Sequence, residues 1–370
     1  MRILLTGGGT GGHIYPALAV ADEIMRRHPQ AEILYVGTKR GLESGIVPKK
    51  GYAFKTIEVE SLPRKINPAL FKAVAKALKG CREAKEIIRD FQPDVVLGTG
   101  GYVCGPVVLE AHSLKIPTVI HEQNAFPGVT NKLLARMVDQ VLLNFASAEK
   151  YFKSGSPITV TGLPVRSEVL AVSREEGLAY FGLQKEKRTL LVSGGSRGAK
   201  SINFAMAKSY GALLQDENLQ IIHSTGTKGY EETLEAIKSN GIRIEEYSDR
   251  VKILPYVDHM EYALNAADLT IARAGATNLA EIMACGLASI LVPFPLASEN
   301  HQKFNAESLV NVGAAEMILD KDLDEEVLVK KVKMLLEDED LRLRMGNNSK
   351  AQYKEECLDM IVDLLEKYFG

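Results

Sequence analysis

Residues 2–27 read RILLTGGGTGGHIYPALAVADEIMRR. A short apolar run, Arg2 to Thr6, meets a loop with five glycines in seven residues, and the loop runs into a stretch that repeats its apolar positions at helical spacing. Strand, glycine loop and helix start in that order present free backbone N–H groups and a helix dipole to a phosphate. The loop closes on His13, which phosphate cradling does not require.

Outward from this unit, apolar runs of strand length alternate with helical patterns: EILYVG, DVVLGTGG, PTVIHEQ and QVLLNF, then RTLLVSGG, LQIIHSTG, VKILPY, DLTIARAG and ASILVPF. The runs are nearly continuous in Val, Ile and Leu, as in parallel strands covered by helices on both faces. The expected class is α/β, doubly wound. Residues 188–205, RTLLVSGGSRGAKSINFA, repeat the opening device, so two Rossmann-like domains are expected to face a ligand cleft. The turn in TGLPVR, Thr161 to Arg166, sets the expected domains at 1–163 and 164–355, with the last segment, 356–370, crossing back onto the first.

A chain of 370 residues with 46% hydrophobic composition suffices for two cores. The four cysteines are scattered without a CxxC pair, which suggests neither a disulfide framework nor structural zinc. No signal peptide and no membrane span is expected; the stretch 274–297 carries Asn278, Glu281, two prolines and two glycines. Net charge is −2, which argues against a nucleic-acid partner, yet it divides into +7 for residues 1–163 and −9 for 164–370. The first half suits an anionic partner.

Gly7, Gly9 and Gly12 fit GxGxxG, but a dinucleotide site wants a carboxylate ending the second strand, where Gly37, Thr38, Lys39 and Arg40 stand instead. NAD is disfavoured and NADP stays open. In DLTIARAGATNLAEIMACG a buried strand ends at Arg273, Gly275 turns the chain, and a helix begins near Ala276–Asn278. Its amides suit a diphosphate and Glu281 suits the two hydroxyls of a ribose; a capping box of Asn278 and Glu281 is the competing reading. VIHEQN places His121, Glu122, Gln123 and Asn124 at a strand's carboxyl edge, facing a ligand or satisfying one another. The DxD triplets at Asp320–Asp322, Asp322–Asp324 and Asp338–Asp340 follow no buried strand and read as solvated helix surface, with no metal expected. Residues 62–82 hold six basic and no acidic side chains; if helical from Pro68, Leu70, Phe71, Val74, Ala77 and Leu78 share one side, with Lys72, Lys76 and Lys79 available for an interface. That pattern fits an anionic membrane surface or a helix packed on the sheet with a solvated basic face.

GGGTGGHIYPALAVA, GTGGYVCGP, IHEQNAFPGVTNKLLAR, TGLPVR, GGSRGA and ARAGATNLAEIMACGLASILVPFP with NHQKFNA, taken in order along the whole chain, resemble the MurG family of bacterial glycosyltransferases. The resemblance implies the GT-B fold and inverting transfer of N-acetylglucosamine from UDP-GlcNAc to the 4-hydroxyl of lipid I, giving lipid II for peptidoglycan synthesis, with no metal and no cofactor. Carried over by position, substrate-binding residues fall on Thr10, Gly11, Gly12, Asn124, Arg166, Ser196, Val257, Ala276, Thr277, Asn278, Leu279, Ala280, Glu281 and Gln302. The sequence departs from the pattern at Leu163, Arg197 and the PLASENHQ loop, so His301 stands as an alternative to Gln302 for the sugar.

Inversion requires a base at the acceptor hydroxyl and positive charge at the departing diphosphate. His13 is the preferred base and Glu122 the reserve, with Arg166, backbone amides and helix starts at the diphosphate. A peripheral position on the cytoplasmic face of the membrane, through residues 62–82, is expected, and the resemblance allows cell-wall synthesis and division proteins as partners. A UDP-GlcNAc epimerase or NADP enzyme on a similar scaffold, and a non-catalytic nucleotide-sugar-binding protein, are the competing functions.

Overall fold

A computed structural model describes residues 1–60, 68–152, 155–195 and 198–369. Ser196, Arg197 and residues 62–67 of the basic segment lie outside the described residues. The chain divides into two compact units, Met1–Pro164 with Lys354–Gly370, and Val165–Tyr353.

The first unit is built on β1 (Arg2–Thr6), β2 (Glu32–Gly37), β3 (Ala53–Thr56), β4 (Val95–Gly98), β5 (Thr118–Glu122), β6 (Gln140–Leu143) and β7 (Ile158–Val160). All pairings are parallel, in the order β3-β2-β1-β4-β5-β6-β7. Ile3 and Leu5 enter one apolar cluster and Leu4 the other, so both faces of β1 are buried. That is why these strands read as unbroken apolar runs. The chain leaves β1 toward β2 and returns on its other side at β4, and Thr6 pairs with Gly98. Their two glycine loops therefore emerge side by side at the switch point where doubly wound sheets bind ligands.

The second unit repeats the plan with β8 (Arg188–Ser193), β9 (Leu219–Ser224), β10 (Val251–Leu254), β11 (Leu269–Ala272), β12 (Ala288–Leu291) and β13 (Ala315–Met317), all parallel in the order β10-β9-β8-β11-β12-β13. Ser193 pairs with Ala272, which puts the loop after β8 beside the turn at Arg273–Gly275.

The last helix, Cys357–Glu366, belongs to the first unit. Its buried Cys357, Ile361, Val362 and Leu365 join the cluster of Ile14, Leu18, Ala21 and Ile24. Each fully buried Ile, Val or Leu contributes about 1.5–3 kcal/mol. Arg27 locks the same contact through Asp359, Asp363 and Glu366.

Three sequence expectations are corrected here. The DxD aspartates are not plain helix surface: Asp324 accepts the Val327 N–H and Asp338 the Leu341 N–H, both at 2.8 Å, each capping the helix it precedes. Asp320 takes the Arg273 guanidinium at 2.5 Å. In the helix Pro68–Phe91, Ala73, Ala84 and Ile88 are buried while Val74 and Leu78 are 44% and 68% exposed, but Lys76 pairs with Glu60 and Lys79 with Glu58 instead of standing free. Asn278 and Glu281 form no capping box; Gly275 occupies the N-cap and makes no side-chain cap.

Candidate active site

The opening glycines are explained by what crowds them. A Cβ on Gly7 would sit 2.1 Å from Thr99 Oγ1, one on Gly8 2.7 Å from Glu43 Oε1, and one on Gly101 2.4 Å from the Gly8 carbonyl. Gly8 N–H donates to the Gly100 carbonyl at 3.3 Å and Gly9 N–H to Glu43 Oε2 at 3.2 Å. A cradle formed by the whole loop is therefore excluded, because two of its amides already have acceptors. Among the described residues, the amides of Gly11 and Gly12 at the uncapped start of the helix Gly11–Arg27 have no protein acceptor, and with Thr10 they form the part that suits an anion.

Glu43 is the residue that the sequence reading missed. It is fully buried, and its Oε1 also accepts from Thr38 N–H at 3.0 Å and Thr38 Oγ1 at 2.7 Å. Its signal was the pair Gly37 and Gly41, whose absent side chains leave the space that its carboxylate fills.

His13 stands on the first turn of that helix, its ring against Gly100, where a Cβ would lie 2.8 Å from Nδ1. Nδ1 is 3.0 Å from the Thr99 carbonyl and 2.9 Å from Gln123 Oε1. Both partners are acceptors, so Nδ1 carries the hydrogen and Nε2 keeps its lone pair. That assignment makes Nε2 the atom able to take a proton.

The HEQN turn at the end of β5 is buried at His121, Glu122 and Gln123. Glu122, the reserve base, is instead the organiser of the turn. Its Oε1 accepts from Asn124 N–H and Nδ2, and its Oε2 from Gly128 N–H and Asn131 Nδ2, at 2.9–3.2 Å. Asn124, named as a substrate contact, is held against this carboxylate. Burial pulls the His121 imidazole down to about 4, so it is neutral at pH 7.

In the second unit, the helix Ala276–Cys285 begins one turn past β11. Leu279 and Ala280 are buried, and the Leu279 N–H donates to the Gly275 carbonyl at 2.9 Å. Ala276, Thr277 and Asn278 remain at the helix start, with Asn278 Nδ2 tied to the Arg273 carbonyl at 2.9 Å. The Glu281 carboxylate is largely buried, and Arg166 Nε donates to its Oε1 at 3.0 Å. Burial pushes its carboxyl above the usual range while Arg166 pulls it back. Glu261 extends the cluster, 3.7 Å from Arg166 Nη1 and 2.9 Å from His259 Nδ1. Gln302 accepts the Phe294 N–H through Oε1 and sets its Nε2 4.0 Å from the Cβ position of Gly275, over the helix start; His301 instead folds onto the Ser298 carbonyl at 2.6 Å. Buried Val257 lies beyond the carboxyl end of β10. Each unit thus carries a polar constellation at its switch point: a histidine with a helix start in one, an acid–cation pair with a helix start in the other.

The glycosyltransferase family 28 N-terminal domain matches residues 3–143 and the family's C-terminal domain residues 189–361. A Desulforamulus reducens protein named UDP-N-acetylglucosamine–N-acetylmuramyl-(pentapeptide) pyrophosphoryl-undecaprenol N-acetylglucosamine transferase is 50% identical over 99% of this chain and 98% of its own. The crystal structure of Acinetobacter baumannii MurG matches at 29% identity and a TM-score of 0.80, over 99% of both chains. A Neisseria meningitidis UDP-GlcNAc 2-epimerase, 13% identical over 99% of this chain and 100% of its own with a TM-score of 0.68, shares the fold alone. With matches in both halves and half its residues shared with a relative of equal length, the chain belongs to glycosyltransferase family 28.

Proposed function

We propose that this chain is an inverting N-acetylglucosaminyltransferase that moves the sugar of UDP-GlcNAc to the 4-hydroxyl of undecaprenyl-diphospho-N-acetylmuramoyl-pentapeptide. The observation that carries this reading is the full-length likeness to a transferase whose name states that donor and acceptor. In the proposed reaction His13 Nε2 takes the proton of the 4-hydroxyl while its oxygen attacks the anomeric carbon from the face opposite the diphosphate. The new C–O bond forms as the bond to UDP breaks, and UDP carries away the electron pair. Glu281 receives the ribose hydroxyls, Val257 meets the uracil through its backbone, and Arg166, Ser196, Gln302 and the helix start at Ala276–Asn278 hold the diphosphate sugar. Thr10, Gly11, Gly12 and Asn124 are the proposed substrate contacts of the first unit.

The enzyme is proposed to work as a peripheral protein on the cytoplasmic membrane face. Supporting this are the exposed Val74 and Leu78 of the helix Pro68–Phe91 and the +7 charge of residues 1–163. No described helix is long and apolar enough to cross a membrane.

The test is transfer of labelled GlcNAc to a short-chain lipid I analogue. Product with inverted configuration is expected, and His13→Ala is expected to abolish it with little change in UDP-GlcNAc affinity. Binding without transfer would point to a non-catalytic binding protein, and turnover of UDP-GlcNAc without an acceptor to an epimerase; either result refutes the proposal.

A further inference from the structure

The geometry points to Gln123 as the positioning residue that, with His121 behind it, fixes the protonation pattern of the His13 ring; this rests on His13 being the base. His13 alone does not determine which of its nitrogens carries the hydrogen. The Thr99 carbonyl and Gln123 Oε1 are both within 3.0 Å of Nδ1, but an amide side chain can rotate to offer N–H₂ instead of oxygen. Three acceptors prevent that rotation. Gln123 Nε2 lies 2.7 Å from the Thr99 carbonyl, 3.0 Å from the His121 carbonyl and 3.1 Å from His121 Nδ1. Turning the amide over would set its oxygen against two carbonyls.

His121 in turn has a defined hydrogen. Its Nε2 is 2.8 Å from the Gly162 carbonyl, so Nε2 donates and Nδ1 is left to accept from Gln123. Burial keeps this imidazole neutral at pH 7, so Nδ1 stays an acceptor there. The donors run one way, from His13 Nδ1–H to Gln123 Oε1, from the two Gln123 Nε2 hydrogens to the Thr99 carbonyl, the His121 carbonyl and His121 Nδ1, which share them, and from His121 Nε2–H to Gly162. Every ring nitrogen on this path has its role assigned by a neighbour that cannot reverse. The result at the surface of the unit is a His13 Nε2 lone pair, and an imidazolium stabilised by two acceptors once that lone pair has taken a proton.

Nitrogen-15 chemical shifts of labelled histidine, with the His13 signals identified by their loss in His13→Gln, read the tautomer directly. The wild-type protein is expected to show Nδ1–H and bare Nε2 in the neutral ring, and the opposite pattern overturns the proposal before any variant is made. Gln123→Met is expected to mix the tautomers and to lower kcat about 10- to 100-fold, part of the ~10²–10⁴ that a placed base supplies, with KM for UDP-GlcNAc unchanged. Gln123→Glu, which sets a carboxylate against Nδ1, is expected to move the acid limb of kcat/KM upward by about one pH unit or more. An unchanged tautomer in Gln123→Met together with an unmoved limb in Gln123→Glu refutes the positioning role and leaves a structural one. Full activity in His13→Ala would instead refute the base reading, while the tautomer signals would still report whether Gln123 governs the ring.

Discussion

Replacing Glu281 by Gln tests the donor half of the mechanism. The carboxylate is buried, and its protein partner is Arg166 Nε at 3.0 Å. Two ribose hydroxyls donating to a carboxylate are worth about 1.5–3 kcal/mol each, roughly 3–6 kcal/mol together. Against this stands the existing ion pair, whose Arg166 side chain is 47% exposed, so solvent screening limits it to about 1 kcal/mol. Gln keeps one acceptor but loses the charge, and its net cost to UDP binding is about 2–4 kcal/mol, which is roughly 30- to 1,000-fold in Kd. Stability should hardly move, since Gln conserves the volume and Arg166 retains access to water. Titration calorimetry with UDP, paired with a thermal melt, reads both quantities. A Kd within threefold of wild type in a folded variant would refute the ribose assignment and leave Glu281 as a partner for Arg166 alone.

Three more outcomes are expected. Burial holds His121 at about 4 and His223 at about 3, against an ordinary 6.5, so below pH 6.5 the unfolded chain binds protons that the folded chain refuses. Stability is therefore whole above that pH and falls with acid, by roughly 2 kcal/mol per histidine between pH 7 and 5; urea titrations at the two pH values should show it, and a flat profile would count against neutral buried rings. Glu43→Ala strips the acceptor from Gly9 N–H, Thr38 N–H and Thr38 Oγ1, and should cost roughly 3–5 kcal/mol in chemical denaturation together with transfer activity; an unaffected melt would show that the glycine loop does not depend on this carboxylate. Leu78→Glu should weaken binding to anionic vesicles about tenfold or more while leaving transfer to a soluble acceptor analogue intact, and undiminished vesicle binding would move the membrane contact elsewhere.

The two doubly wound units were legible because their signals are local. Apolar runs, glycine turns and helical periods each occupy a contiguous stretch, and the device at 2–27 reappears at 188–205. Residue order also drew attention to His13, the HEQN turn and the strand–turn–helix around Glu281. It left each with two readings, because the choice between ligand and internal partner depends on neighbours distant in sequence. Gln123 is 110 residues from His13, Glu43 is 34 from Gly9, and Arg166 is 115 from Glu281. Parallel strands joined through helical crossovers bring such residues to one sheet edge, and no period in the sequence links them. Tertiary structure alone decided that a buried carboxylate takes part of the glycine loop, that Glu122 organises its own turn, that Asp324 and Asp338 cap helices, and that His13 Nδ1 faces the Thr99 carbonyl and Gln123 Oε1. Each of these is a pairing of donor with acceptor, set by which polar groups are enclosed together away from water.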